Sequence, residues 1–283
     1  MSCLLAICGR YGDIMMAVPS IIALHDKYGE VDLLVSSNYA SVSDFVKLLA
    51  PVNKIVCESE MCPTRDSIVT GMFMSSWSEK MLKYRFPGYD KYVNAAPNMA
   101  PSGTHMMSLI AYRCGAVSTV SQLPSISVPP HNGEKLVVHL GSSDISRQIC
   151  LADNPFPEFD SVCIGLPNDP CPTWIGEDRR GIGFDSAINA LSNAAIMIGS
   201  DSLFTHVSCL MGITTACIHT SQKGMENYSR GVYPTGVSMV AKRGMTNPNA
   251  VRKTILQISG QEIFNGCRNR QEQEGMALRP ETG

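Results

Sequence analysis

The sequence predicts an α/β protein of two open, parallel-sheet domains, on three observations. Short apolar runs of strand length alternate with segments of helical period. A Ser-, Pro- and Gly-rich stretch, STVSQLPSISVPPHNGE at 118–134, splits that alternation into two series and reads as an interdomain linker. The chain, with 283 residues that are 44% hydrophobic and 17% charged, is long and apolar enough to bury both cores. The expected organisation is a first domain over 1–117, the linker 118–134, a second domain over 135–260, and a polar, aperiodic tail over 261–283.

Each element follows from its pattern. CLLAIC (3–8) is a short buried strand, the turn GRYG follows, and 13–29 reads as a helix. Its residues Ile14, Val18, Ile21, Ile22 and His25 recur at helical spacing. EVDLLVSS (30–37) is a strand, SVSDFVKLLA (41–50) a helix and VNKIVCE (52–58) a strand. Residues 60–88 read as helices and loops, YDKYVNAA (89–96) as a strand, and 103–115 as a helix ending at Gly115. The second series opens with strands at 135–141 and 160–166, separated by 18 residues without a convincing helix. A helix at 184–194, a strand at 195–200 and a helix at 202–211 come next, followed by strands at 214–220 and 236–242 and a helix at 249–259.

Composition narrows the function. The formal charge of −2 argues against a dominant polyanion-binding surface, which needs clustered Lys and Arg. Eleven cysteines are scattered without a CxxC pair, so they read as reduced, mostly buried thiols of a cytoplasmic protein. No segment has the length to span a bilayer. The opening MSCLLAIC lacks a basic n-region and reads as a first strand rather than a signal peptide.

Ligands in such sheets bind at the carboxyl ends of strands, and three stretches there carry chemistry. In CGRYGD, two glycines turn the chain and Asp13 begins the next helix, either as its N-cap or as a carboxylate facing the cleft. The spacing is not GxGxxG, so no dinucleotide fingerprint is present. In HLGSSDISR, Gly141, Ser142, Ser143 and Arg147 suit a diphosphate, or form an ordinary polar loop. In GSDSLFTHVSCLMG (199–212), a helix starting at Ser202 would have Asp201 as its N-cap and Leu203, Val207 and Leu210 as its core stripe. Ser202 and His206 then share another face, near a helix N-terminus that favours negative charge.

At these residues the chain resembles glycosyltransferase family 9, the ADP-heptose:lipopolysaccharide heptosyltransferases. GDIMMAVPSIIALHDKYGEVDLLVSS is similar to that family's N-terminal signature, and ALSNAAIMIGSDSLFTHVSCLMGITTACIHTS to its C-terminal one. VVHLGSS resembles its ihpGas segment. The resemblance implies a GT-B fold, two Rossmann-like domains facing a central cleft, with acceptor on the first and nucleotide-sugar on the second. It implies metal-independent, inverting transfer with a nucleotide-sugar co-substrate, an ADP-sugar among the candidates, and no other cofactor. Asp13 matches the family's base, with Arg10 and Gly12 beside it on the acceptor side. Asp201, Ser202 and His206 match the family's donor-binding D-S-x-x-x-H, and the resemblance puts Arg147 where the family carries a phosphate-binding Lys. Thr220, at the end of strand 214–220, and Lys223, beyond it, are placed with the donor.

Two departures stand out: Leu203 replaces the family's glycine after Asp-Ser, and SRQICLADNPFP replaces its K-x-W-P. Lys223, Arg230 and Lys242 offer cations for a diphosphate, or are solvated surface charges. Segment 60–80 has a length and character that permit an acceptor-binding flap. The expected activity is sugar transfer from a nucleotide-sugar to a hydroxyl acceptor. Three alternatives remain: a nucleotide-sugar epimerase or hydrolase, a DNA-base glycosyltransferase that the net charge disfavours, and a non-catalytic nucleotide-binding protein. The oligomeric state is left open.

Overall fold

The computed structural model describes residues 1–7, 9–58, 78–95, 106–119, 133–142, 145–222, 236–241 and 246–259. The first half builds a four-stranded sheet from β1 (Ser2–Ile7), β2 (Glu30–Ser36), β3 (Lys54–Glu58) and β4 (Lys91–Asn94), in the order β3-β2-β1-β4. The second builds a six-stranded sheet, in the order β10-β9-β8-β5-β6-β7. Its strands are β5 (Lys135–His139), β6 (Asp160–Cys163), β7 (Glu177–Asp178), β8 (Ala194–Ser200), β9 (Thr214–His219) and β10 (Gly236–Val240). Every pairing is parallel. That is why LLAI in β1 and AAIMI in β8 are continuous apolar runs: strands covered on both faces have no wet side to alternate with.

The helix expected over 13–29 is two helices, α1 (Tyr11–Met15) and α2 (Val18–Tyr28). Pro19, in the first turn of α2, has no N–H to continue the ladder, so the chain breaks at Met16–Ala17 and restarts. A 3-10 turn (Ser37–Val42) leads into α3 (Ser43–Leu49), and α4 (Glu79–Arg85) and α5 (Met106–Arg113) are the further described helices of the first half. In the second, α6 (Phe184–Ser192) precedes β8, α7 (Leu203–Leu210) follows it, and α8 (Pro248–Ser259) follows β10. Among the described residues, the connection from β5 to β6 carries a 3-10 turn at Ile145–Arg147 and no α-helix, in keeping with the missing helix in the sequence there. The short strand β7 had no counterpart in the expected elements.

Strand order fixes where a ligand can sit. Each sheet reverses its direction of winding once, between β1 and β4 in the first and between β5 and β8 in the second. A reversal opens a crevice at the strand carboxyl ends, because the helices leave to opposite faces there. The two halves also share a core: Ile14 and Phe45 from the first pack in one apolar cluster with Ala187, Leu203 and Val207 from the second. Among the described residues, no helix is long and apolar enough to cross a membrane. The eight described cysteines are all free, five of them buried. The expected tail at 261–283, residues 60–77 of the expected flap at 60–80 and most of the linker lie outside the described residues.

Candidate functional site

The two reversals meet at one cavity of about 700 Å³, within the range that holds a cofactor-sized ligand. The loop after β1 and α1 supplies Arg10, Tyr11, Gly12 and Asp13; the loop after β8 and α7 supply Asp201, Ser202, Leu203, Phe204 and His206. Ser142 and Arg147 enter from beyond β5.

Asp13 is not the helix cap. Arg10 holds that position, and the Asp13 carboxylate, at the third helical residue, accepts from the Arg10 backbone N–H at 2.8 Å. Gly9 makes this possible, since a Cβ there would lie 2.5 Å from Asp13 Cβ. Burial pushes the Asp13 carboxyl above the ordinary aspartate value, and the Asp201 charge pushes the same way. The bond from Arg10 and the charges of His206 and Arg10 offset this only in part. A carboxylate of raised basicity facing a cavity suits proton abstraction.

On the opposite wall the helix begins one residue later than expected. Ser202 is the N-cap of α7, which releases Asp201 from capping. Its carboxylate instead sits among three basic groups: His206 Nε2 at 3.5 Å, His219 Nδ1 at 3.8 Å and Arg147 Nη1 at 3.9 Å. Burial alone would raise Asp201, but the His206 bond and the charges of His206, His219 and Arg147 outweigh it and hold it below the ordinary range. Gly12 brings the walls together, for a Cβ there would stand 3.4 Å from His206 Cδ2.

Not every expected residue reaches the cavity. Gly141 is absent from its lining; a Cβ at Gly141 would fall 2.0 Å from Asp169 Cγ, so its role is to make room. Thr220 directly follows β9 and is not among the residues that line the cavity. Ser143, Lys223, Arg230 and Lys242 lie outside the described residues. Leu203, standing where the family carries glycine, lines the cavity while packing into the shared core.

Sequence reasoning passed over His139 and Asp169. His139 closes β5, with Nδ1 2.9 Å from Ser202 Oγ and Nε2 3.2 Å from Asp169 Oδ2. Asp169 also accepts from the Leu166 N–H at 2.7 Å. His139 ends β5 and Asp169 lies in the loop after β6, so a search of strand carboxyl ends reaches each of them singly. Aromatic rings floor the site: Tyr11 meets Tyr39 and Phe184 edge-on at 5.0 and 5.8 Å, and Phe204 meets His139 at 4.8 Å.

Among the described residues, two groups of side chains have donor spacings within reach of one metal ion, Asp201 with Cys217 and His219, and Cys163 with Cys171 and Asp178. At the first, the Arg147 guanidinium already faces the Asp201 carboxylate and would oppose a further cation.

No protein-family model and no curated protein matches the chain. Solved structures do. The E. coli heptosyltransferase WaaC with ADP aligns with a TM-score of 0.60 over 92% of this chain and 100% of that one, at 10% identity. The E. coli ADP-heptose LPS heptosyltransferase II gives 0.57 over 96% and 100%, at 12% identity. A family 9 glycosyl transferase from Veillonella parvula gives 0.52 over 93% and 97%, at 8% identity. The chain therefore has the two-sheet GT-B fold of these glycosyltransferases, as the resemblance in its sequence implied.

Proposed function

We propose that this protein is a glycosyltransferase that moves a sugar from a nucleotide-sugar to a hydroxyl acceptor, by a metal-independent, inverting reaction. The observation that carries this reading is the pairing of Asp13 and Asp201 on opposite walls of one cavity at the strand ends of both sheets. Asp13, on the first half, takes the proton of the attacking hydroxyl. The nucleoside diphosphate leaves from the second half, where Arg147, Ser142 and the N-terminal N–H groups of α7 compensate its charge. These fixed positive groups do the work a divalent cation does elsewhere, and they need no reorganisation as charge develops. Asp201, held ionised by its basic neighbours, accepts from hydroxyls of the transferred sugar. An ADP-sugar is the donor favoured by the fold relative that carries ADP.

A thermal-shift screen against ADP-, UDP-, GDP- and CDP-sugars tests the donor assignment. One nucleotide series should raise the melting temperature by several degrees. Incubating that donor without acceptor then separates the classes: a transferase leaves most of it intact, whereas a hydrolase or epimerase consumes it. Binding without turnover in the presence of varied hydroxyl acceptors would make the protein a nucleotide-sugar binder instead.

A further inference from the structure

The Asp169–His139–Ser202 chain is a built feature with no part in the reaction above. Two glycines exist to accommodate it. A Cβ at Gly141 would strike Asp169 Cγ at 2.0 Å, and one at Gly165, where φ is +140°, would come within 2.5 Å of Asp169 Oδ2 and 2.9 Å of His139 Cδ2. Asp169 and His139 are both buried, and Arg180 donates from its guanidinium to the Asp169 backbone carbonyl, tying down the loop that carries the acid.

Hydrogen-bond polarity propagates through the chain in one direction. Asp169 is an ionised carboxylate and only accepts; its Leu166 and His139 bonds hold it in that state against the cost of burial. The proton of a neutral His139 therefore resides on Nε2, which leaves Nδ1 as an acceptor. The hydrogen 2.9 Å away can only be that of Ser202, so the hydroxyl donates to His139. Ser202 Oγ also accepts from the Thr205 backbone N–H in the capping box of α7, which leaves it one lone pair for the cavity it lines.

We infer that the Asp169–His139 pair fixes Ser202 Oγ as a hydrogen-bond acceptor, so that this point of the cavity takes a sugar hydroxyl of the donor and rejects a phosphate oxygen. A hydroxyl has a proton to give; an ionised phosphate has only lone pairs and would face another lone pair. Ser202 thus determines specificity, and His139 and Asp169 are positioning residues that act through it. The diphosphate is left to Arg147, Ser142 and the α7 amides, which can donate. This rests on the donor reading above and adds which part of the donor Ser202 meets.

The test has two arms. In the wild-type chain at about pH 8.5, above the ordinary imidazole range, long-range ¹⁵N NMR should show His139 as the Nε2–H tautomer. Asp169→Asn, which can donate to Nε2, should shift it toward Nδ1–H. In calorimetry, Asp169→Asn should weaken ADP-glucose about tenfold while changing ADP less than about twofold. An Nδ1–H tautomer in the wild-type chain overturns the inference without any variant. Equal losses for ADP-glucose and ADP also overturn it, since they indicate a structural role only. If the wild-type chain binds neither probe while His139 is Nε2–H, the ADP-sugar reading fails, and the assignment of Ser202 to its sugar with it, but the polarity of the chain stands.

Discussion

Asp13 and Asp201 are one residue type held in opposite electrostatic states within one cavity, and pH should separate them. Asp13 titrates above the ordinary aspartate value, so the acid limb of kcat/KM should lie above that range, with activity rising as the base ionises. Linkage gives the sign for stability. A carboxyl raised by folding favours the native state most below its unfolded value, and that advantage is lost as pH rises through the folded one. Asp13→Asn should therefore melt at or above the wild-type temperature at neutral pH. Asp201 is the reverse: its lowered value contributes stability above the unfolded range, lost as pH falls through the folded one. Asp201→Asn should cost about 1–3 kcal/mol at pH 7 in urea unfolding, discounted because Arg147 is half-exposed. Equal melting shifts for the two variants would contradict this asymmetry.

At the scale of elements, the site depends on how sharply β1 and β8 turn into their helices. Gly9→Ala places a Cβ 2.5 Å from Asp13 Cβ, so α1 must move. Activity should fall more than about tenfold, since small misplacements of a reacting group are costly, while the circular dichroism spectrum is unchanged. Strand positions were legible because both sheets are buried on two faces, which leaves unbroken apolar runs such as LLAI and AAIMI. Helix ends were not. One proline decided whether 13–29 was one helix or two, and one residue decided whether Asp201 or Ser202 capped α7. Asp13, Ser202 and His206 could be found because they follow strands in quotable motifs. His139 and Asp169 could not be paired from sequence, since 30 residues and no periodicity separate them. The sequence allows Gly141 in a diphosphate site or in an ordinary polar loop; its steric use beside Asp169 is visible only in the packed loop.

For the whole molecule, the cleft has a closed floor. Phe45 of the first half is fully buried against Phe184 and Phe204 of the second, with ring centroids 5.4 and 6.1 Å apart. The halves should consequently unfold together. Phe45→Ala should cost about 3–5 kcal/mol and still give one calorimetric transition; two transitions in the wild-type chain would mean that the shared core does not couple the halves. The chain's charge of −2 further predicts no salt-dependent binding of duplex DNA in electrophoretic shift assays.

The most direct test is the Asp13→Asn variant assayed with the donor found by the thermal-shift screen. The account predicts donor affinity within about twofold of the wild type and a loss of transfer of about 10²–10⁴-fold. Transfer at the wild-type rate would show that the acceptor hydroxyl loses its proton elsewhere, and the proposed reaction across this cavity would be wrong.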